Sequence, residues 1–524
     1  MKRQSFLIIA LAAPTLALAG VSAQNGNFYI TYEDVAHTQG GPAFSLRRTY
    51  NSLSPERGWL GVGWGTPYET RLVVMPDGTA DVVENGSGSV SRYRPEAPVD
   101  TAAGAARLAE AIAARDKLAA EAVPVLRDRL AGDEALRLRK VREYDVRSDL
   151  AVGTVLRDPR CREATVKRTA DGYQRTTCAR AVDDFDAQGR LVRSDTGDGQ
   201  RIVLHYDDAR PTRITDAHGR TLHLTWNADG LLSTVRSDDG RRAAYRYSTA
   251  GDLVESTDVH GTPLRYTYDA DHNLTEIRYI DTTTMQIAYS VPRLGRVASV
   301  TERTGERTEY TYTEDTVNGA IAATSIRTID NDGHAQVRHV TFDRVRTDGG
   351  GLQVAAVSSM GDHGRGRLDT RYDQQGRLVH RADGQGGSTD YVYHPKTGKL
   401  IMLLGSSTQR VFRYDDCGRL IQADSSDGRH IELTYLAGTR QIGSMIERQG
   451  KTAPRELKFR YNPAGKPVEI QLVGTGTIHV RYDAQGEIEH VEAPRGGPRT
   501  AMQVTQAFSN LLQVVKVAGV NTSL

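Results

Sequence analysis

From residue 202 to 482 the apolar residues recur at every second position in short runs: Ile202, Leu204, Tyr206; Leu222, Leu224, Trp226; Leu264, Tyr266, Tyr268; Ile431, Leu433, Tyr435; Leu457, Phe459, Tyr461; Ile478, Val480, Tyr482. Strict alternation predicts strands with one buried face and one wet face. Each run ends on an aromatic that opens a second pattern: aromatic, Asp or Asn, two free positions, Gly, any residue, Leu or Ile. The clearest copies are Phe185-Asp186-Ala-Gln-Gly189-Arg-Leu191, Tyr372-Asp373-Gln-Gln-Gly376-Arg-Leu378, Tyr414-Asp415-Asp-Cys-Gly418-Arg-Leu420 and Tyr482-Asp483-Ala-Gln-Gly486-Glu-Ile488. Looser copies begin at Trp226, Tyr247 (with Gly251), Tyr268 (with Asp269), Tyr393 and Tyr461. The aromatic ends a strand, the Asp side chain closes a turn on backbone N–H groups ahead of it, the Gly supplies a positive φ, and Leu or Ile starts the return strand. A second turn follows about ten residues later, as at Asp239-Gly240, Asp383-Gly384 and Asp427-Gly428.

The lead aromatics fall at 185, 206, 226, 247, 268, 289 and 310, and after a degenerate stretch over 313–371 resume at 372, 393, 414, 435, 461 and 482, mostly in steps of 21. A fixed period of this length is the signature of a repeat architecture in which one unit cannot bury its own face. Some 14 units of two strands would give roughly 28 strands, whereas open twisted sheets rarely exceed about 10 without curling or splitting. The expected fold is therefore all-β: a long antiparallel sheet curled into a shell or solenoid.

The motif, its period and its long run resemble the RHS/YD-repeat family. The stretch Pro42-Ala-Phe-Ser-Leu-Arg-Arg-Thr-Tyr-Asn-Ser52 followed by Gly58-Trp-Leu-Gly-Val-Gly-Trp64 is similar to the segment that precedes the repeats in many members. Together these regions span most of residues 27–495. The resemblance implies a hollow β-shell, often enclosing a toxic C-terminal domain that a protease-like element of the shell cuts free. The family's Pro…Asp-Pro-x-Gly boundary signature is missing; Asp158-Pro159-Arg160-Cys161 is the nearest string and lies in the wrong place. Only 42 residues follow Tyr482, too few for an independent toxin fold. The chain thus reads as a shell segment without payload or self-cleavage.

The remaining stretches divide the chain. Residues 1–23 have the layout of a secretory signal: Lys2 and Arg3, an apolar stretch, then Val21-Ser22-Ala23 before a cut at Gln24, with an alternative cut after Ala19. An N-terminal RHS-type β segment is expected over 24–96 and a helical insertion over 97–142. Its first helix would run from Thr101 to Ala122, a second from Pro124 to Gly132 and a third from Asp133 to Arg142. A hairpin linker over 143–184, the repeat shell over 185–495 and a C-terminal helix or tail over 496–524 complete the layout. In the C-terminal helix Met502, Phe508, Leu511, Leu512, Val515 and Ala518 approximate one face. Export makes a disulfide between Cys161 and Cys178 plausible, across the base of a hairpin turning at Asp171-Gly172, and leaves Cys417 over.

Composition narrows the function classes. Lys+Arg total 67 against 65 Asp+Glu, and removal of Lys2 and Arg3 with a leader brings the balance to zero. That argues against a nucleic-acid partner held by bulk charge and against a polybasic membrane anchor. No segment after the leader is long and apolar enough to span a bilayer as a helix. No His-Glu-x-x-His, Gly-x-Ser-x-Gly or P-loop pattern occurs, so no catalytic, cofactor-binding or metal-binding residue is singled out. Asp269-Ala-Asp-His-Asn273 and Asp330-Asn-Asp-Gly333 read better as turns than as calcium loops. The expectation is an exported, non-enzymatic scaffold, periplasmic, at the cell surface or secreted, that encloses or pairs with a second RHS-type or toxin polypeptide. Alternatives are an extracellular carbohydrate-binding module using exposed Tyr and Trp, and a hydrolase with a carboxylate pair formed by folding.

Overall fold

The computed structural model describes the chain except residues 1–17, 38–43, 87, 98, 179, 197–199, 292–294, 347–351, 365, 440, 451, 464, 483–487, 494–496 and 518–524, and except the side chains of 135, 142, 162, 363, 498 and 509–517. Its dominant feature is one antiparallel sheet of 31 strands, from Val155–Asp158 to Ile488–Glu492, in which every strand pairs with its neighbours in sequence. The degenerate stretch over 313–371 keeps this succession with longer strands, Ile321–Ile329, Ala335–Arg346 and Leu352–Gly361. Within most repeat hairpins the register shifts by one at the aromatic, for example between Arg371 and Tyr372 and between Arg413 and Tyr414. A bulge at the same place in successive hairpins adds twist and bends the ribbon. The curl carries the loop before Val182–Asp186 round to the repeat turn at Gly418, where Arg180 Nε lies 3.9 Å from the position a Cβ would take.

The residues ahead of the large sheet form a compact block. Strands Leu18–Val21, Phe28–His37, Phe44–Asn51 and Trp64–Gly65 make a four-stranded sheet. Arg71–Val74, Ala80–Val83 and Val90–Tyr93 make a three-stranded one. Leu18–Val21 lies inside the stretch read as a leader and pairs with residues 28–31. The block packs into the inner face of the large sheet, and Phe28, Ile30, Leu46, Tyr50, Leu60 and Trp64 share one core with Leu204, Ile214, Leu232, Leu253 and Leu274.

Three helices follow: α1 (Thr101–Asp116), α2 (Ala122–Gly132) and α3 (Glu134–Tyr144). α1 stops at Asp116, short of Ala122, because Lys117 adopts a left-handed conformation with φ 54°. The three enclose a small core of Leu108, Ile112, Leu130, Leu136 and Val141, sealed against Met75. At the other end of the chain α4 (Gly497–Val517) lies on the last three strands of the large sheet. Val504 and Ala507 are buried there and Phe508 packs 5.7 Å from Phe459, whereas Met502 faces solvent. The side chains of Leu511, Leu512 and Val515, and all of Ala518, fall outside the described residues. No described helix is long and apolar enough to cross a membrane.

Candidate functional site

The repeat motif is a clasp made of side chains from successive units. In the copy at residues 185–191, Asp186 Oδ1 accepts the N–H groups of Gln188 (3.0 Å) and Arg190 (2.9 Å), while Oδ2 takes Arg190 Nε at 2.7 Å. Asp373 does the same with Gln375 and Arg377, and Asp415 binds the backbone and guanidinium of Arg419 at 2.7 Å each. Asp269 clasps Asp271 and Asn273 through their N–H groups. Burial pushes the Asp415 carboxyl up, but the Arg419 N–H and guanidinium outweigh it and hold it below the usual carboxylate range. Gly189, Gly251, Gly376 and Gly418 close these turns with φ of 79°, 88°, 75° and 72°. Asp483 and Gly486 of the last copy lie outside the described residues.

The aromatic links one unit to the one before. Tyr206, Tyr247, Tyr289, Tyr393 and Tyr435 each donate the hydroxyl to the backbone carbonyl 15 residues earlier, at Leu191, Leu232, Leu274, Leu378 and Leu420. Tyr414 reaches Leu400 at 2.7 Å, Tyr482 reaches Pro467 at 2.9 Å, and Trp226 uses its indole N–H on Pro211. Around position 310 the donor is Tyr312, to Val297, not Tyr310. The cation after the motif glycine then covers the next ring: Arg190 over Tyr206 at 4.6 Å, Arg377 over Tyr393 at 4.7 Å, Arg419 over Tyr435 at 4.6 Å. This explains why the chain holds 23 Tyr but only 8 Phe, since the position needs both an apolar ring and a donor. Tyr268 departs from the rule and accepts a hydrogen bond from Trp64 Nε1 at 2.9 Å. Phe185 is buried in the core without a donor, and Tyr372 is half-buried.

The N-terminal block seats itself on the same row of turns. Leu72 N–H donates to Gly189 O, Leu232 N–H to Trp59 O, and Ser52 Oγ to Gly295 O, each at 2.8 Å. At the centre Arg48 is wholly buried. Its Nε donates to Asp34 at 2.7 Å, its Nη2 to Ser256 and Tyr266 at 2.8 Å, and its guanidinium stacks on Trp64 at 4.5 Å. Tyr245 donates to the same Asp34 oxygen at 2.8 Å. Burial works against the Arg48 charge, but Asp34 outweighs it and keeps the guanidinium firmly protonated. Beyond the block's reach, Leu352–Gly361, Leu368–Tyr372, Leu378–Asp383 and Ser388–Tyr393 contain no buried residue, and burial resumes at Leu403 ahead of the stretch under α4.

The Cα atoms of Cys161 and Cys178 are 6.2 Å apart, within the span a disulfide bridges, and Cys417 is exposed. Asp330, Asp332 and His334 converge on the surface, but Asp330 Oδ1 spends itself on the N–H groups of the other two, which makes the cluster a turn.

The RHS Repeat profile matches residues 247–284, the two units that open at Tyr247 and Tyr268. The chain is an RHS/YD-repeat protein. Residues 19–93 match a Domain of unknown function, DUF6531, which coincides with the N-terminal block. No curated protein matches this chain. Among solved structures, it is similar to TcdB2-TccC3 without the hypervariable C-terminal region, at 11% identity over 90% of this chain and 28% of that one, with a TM-score of 0.42. It is also similar to the Photorhabdus luminescens Tc holotoxin pore, at 12% identity over 91% and 27%, with a TM-score of 0.37. The chain thus spans under a third of the length of these structures.

Proposed function

We propose that this RHS-repeat chain is an exported, non-enzymatic scaffold whose curled sheet pairs with, or closes around, a second polypeptide such as a toxin-bearing RHS chain. The observation that carries the reading is the uneven cover of the inner face. The chain's own N-terminal block fills one stretch and α4 another, and the strands from Leu352 to Tyr393 between them bury nothing. The last strand, Ile488–Glu492, pairs on one side only among the described residues, so its free edge offers hydrogen bonds to a continuing sheet. Sugar binding is less favoured, because the repeat aromatics spend their rings and hydroxyls on neighbouring units.

Co-expression with an RHS-repeat protein encoded beside it, followed by size-exclusion chromatography with mass measurement, tests the reading. A stoichiometric complex is expected. A chain that stays monomeric and fully soluble beside every such candidate refutes the pairing. Export is tested on the mature N-terminus, because a cut after Ala23 would remove Leu18–Val21 and bare the edge of Phe28–His37. A secreted chain that begins at Gln24 supports the leader, and an uncut chain retained in the cytoplasm refutes it.

A further inference from the structure

Each position of the repeat has counterparts in the other units, and at two positions an arginine stands where the other units are mostly apolar. Three residues into the return strand the inner face carries Ile214, Val235, Ile277, Val300, Met445 and Ile470, all buried. In the unit opening at Leu378 that residue is Arg381. Four residues before the lead aromatic the buried set is Leu222, Met285, Ile431, Leu457 and Ile478. In the unit ending at Tyr414 that residue is Arg410. A guanidinium at a core position is retained only where it is paired or wet. Among the described residues neither the Arg381 nor the Arg410 side chain has a hydrogen-bond or ion-pair partner; Arg410 also borders Asp424 and Asp427 and helps lower the Asp427 carboxyl.

Arg381 and Arg410 face the same open groove of about 420 Å³, with Thr389 beside them and Tyr391 and Leu403 as its apolar floor. Asp383 is the one carboxylate in the lining, and its Oδ1 already accepts the N–H groups of Gln385 (2.9 Å) and Gly387 (2.8 Å). Two strands, Ser388–Tyr393 and Leu400–Gly405, separate the arginine-bearing ones. Arg381 lies opposite Thr389 and Arg410 opposite Leu403, the partner of Tyr391, so three strand spacings and a two-residue stagger put the guanidinium stems about 16 Å apart, the reach of four to five residues of extended chain. We infer that this groove seats an extended acidic segment of the partner polypeptide, with two carboxylates about four residues apart held by Arg381 and Arg410. The inference rests on the scaffold reading and names the chemistry of the partner that the uncovered face accepts.

The test uses the full chain and a fluorescein-labelled peptide with two Glu four positions apart in a Gly/Ser/Val background, read by fluorescence anisotropy at low and high salt. A peptide with Lys for Glu is the control. Arg381→Val and Arg410→Ile restore the apolar residue of the other units, so they are expected to fold at least as well, which circular dichroism and melting check. The acidic peptide should bind, lose affinity with salt, and weaken about tenfold or more in each variant. No acidic binding, equal binding of the Lys peptide, or affinity unmoved by both variants overturns the inference. Displacement by inorganic sulfate at the concentration at which the unlabelled peptide displaces it would reduce the groove to a general anion site and overturn it too. Complex formation in the co-expression test is unaffected by these outcomes, so the scaffold reading fails or survives separately.

Discussion

Replacing Arg48 with Met should destabilise the N-terminal seat more than any other single substitution in it. Arg48 and Asp34 are 0% and 4% exposed, and their ion pair spans the boundary between the block and the large sheet through Ser256 and Tyr266. Arg48→Met leaves the Asp34 carboxylate buried with, among the described residues, only the Tyr245 hydroxyl as a side-chain donor. Removing one partner of such a pair costs about 3–5 kcal/mol, mostly as the penalty on the charge left behind. The guanidinium also stacks on Tyr32 and Trp64 at 4.7 and 4.5 Å, a contribution of about 1–2 kcal/mol where water is excluded. Asp34→Asn in the same chain removes the stranded charge and keeps an acceptor for Tyr245, so the double variant should recover about 2–3 kcal/mol of the loss.

Native-state hydrogen exchange read by mass spectrometry is the suitable assay, because a repeat array need not unfold in one step. Protection should fall in Phe28–His37, Phe44–Asn51, Arg242–Tyr247 and Pro263–Tyr268, and stay unchanged in Arg429–Tyr435 and Gly476–Tyr482, which share no core with the seat. Equal loss in the single and double variants would refute the argument from buried charge. Equal loss of protection in the distant strands would refute the view that a unit depends only on adjacent units and on what packs against it.

Other expectations follow from the same geometry. Tyr435→Phe deprives the Leu420 carbonyl of its 2.7 Å donor and should cost about 1 kcal/mol in denaturant titration, with Leu420–Ser425 and Arg429–Tyr435 losing protection first. Gly189→Ala and Gly219→Ala both strain a positive φ at about 1 kcal/mol, but at Gly189 the new methyl would sit 1.9 Å from the Leu72 carbonyl oxygen, whereas at Gly219 it meets nothing within 4 Å. Gly189→Ala should therefore unseat the block, seen as new proteolytic cleavage in residues 44–93, and Gly219→Ala should not. Cys161 and Cys178 are proposed to be crosslinked in the exported protein: a mass gain of two hydrogens on reduction is expected, and loss of the bridge, with its separation of 17 residues, should cost about 3 kcal/mol. His430 sits between Glu432 and Asp424, which raise its pKa, so its contribution to stability is full below 6.5 and is lost as pH rises through the higher folded value. An imidazole titration midpoint at or below 6.5 would contradict that.

The hairpin succession was legible because alternation and turn chemistry are local: Leu433 and Tyr435 announce a face, and Asp415 with Gly418 announces a turn, from adjacent residues alone. The hydroxyl of Tyr435 and the ring-covering role of Arg419 were not legible, although both lie inside the motif. Their partners, Leu420 and Tyr435, are 15 and 16 residues away and come into contact only once the strands have paired. A preference for Tyr over Phe at fixed spacing was the available signal, but the ring alone already favours a strand, so the hydroxyl does not stand out. The displacement to Tyr312 had no local sign at all, since Tyr310 and Tyr312 share one face of Arg307–Glu314. The Arg48 cage lay further out of reach, because it joins positions 34, 48, 64, 245, 256 and 266 that no period relates.

The tyrosine rung also explains why the chain must carry its own N-terminal block. Each hydroxyl secures the unit before it, so an array of such units is held together along the ribbon but not across its inner face. The leucines and isoleucines of that face still need cover, and a curling sheet of constant twist offers only a shallow trough. Over Leu191–Val300 the block supplies the cover, and the switch of Tyr268 from rung donor to acceptor for Trp64 is what a unit gives up to be gripped from inside. Over Leu457–Val480 α4 supplies it. Where neither reaches, the inner positions turn polar, at Arg381 and Arg410, instead of remaining apolar and exposed. A sheet face that kept the repeat's aliphatic residues uncovered would invite aggregation; cations at those positions keep the uncovered face wet.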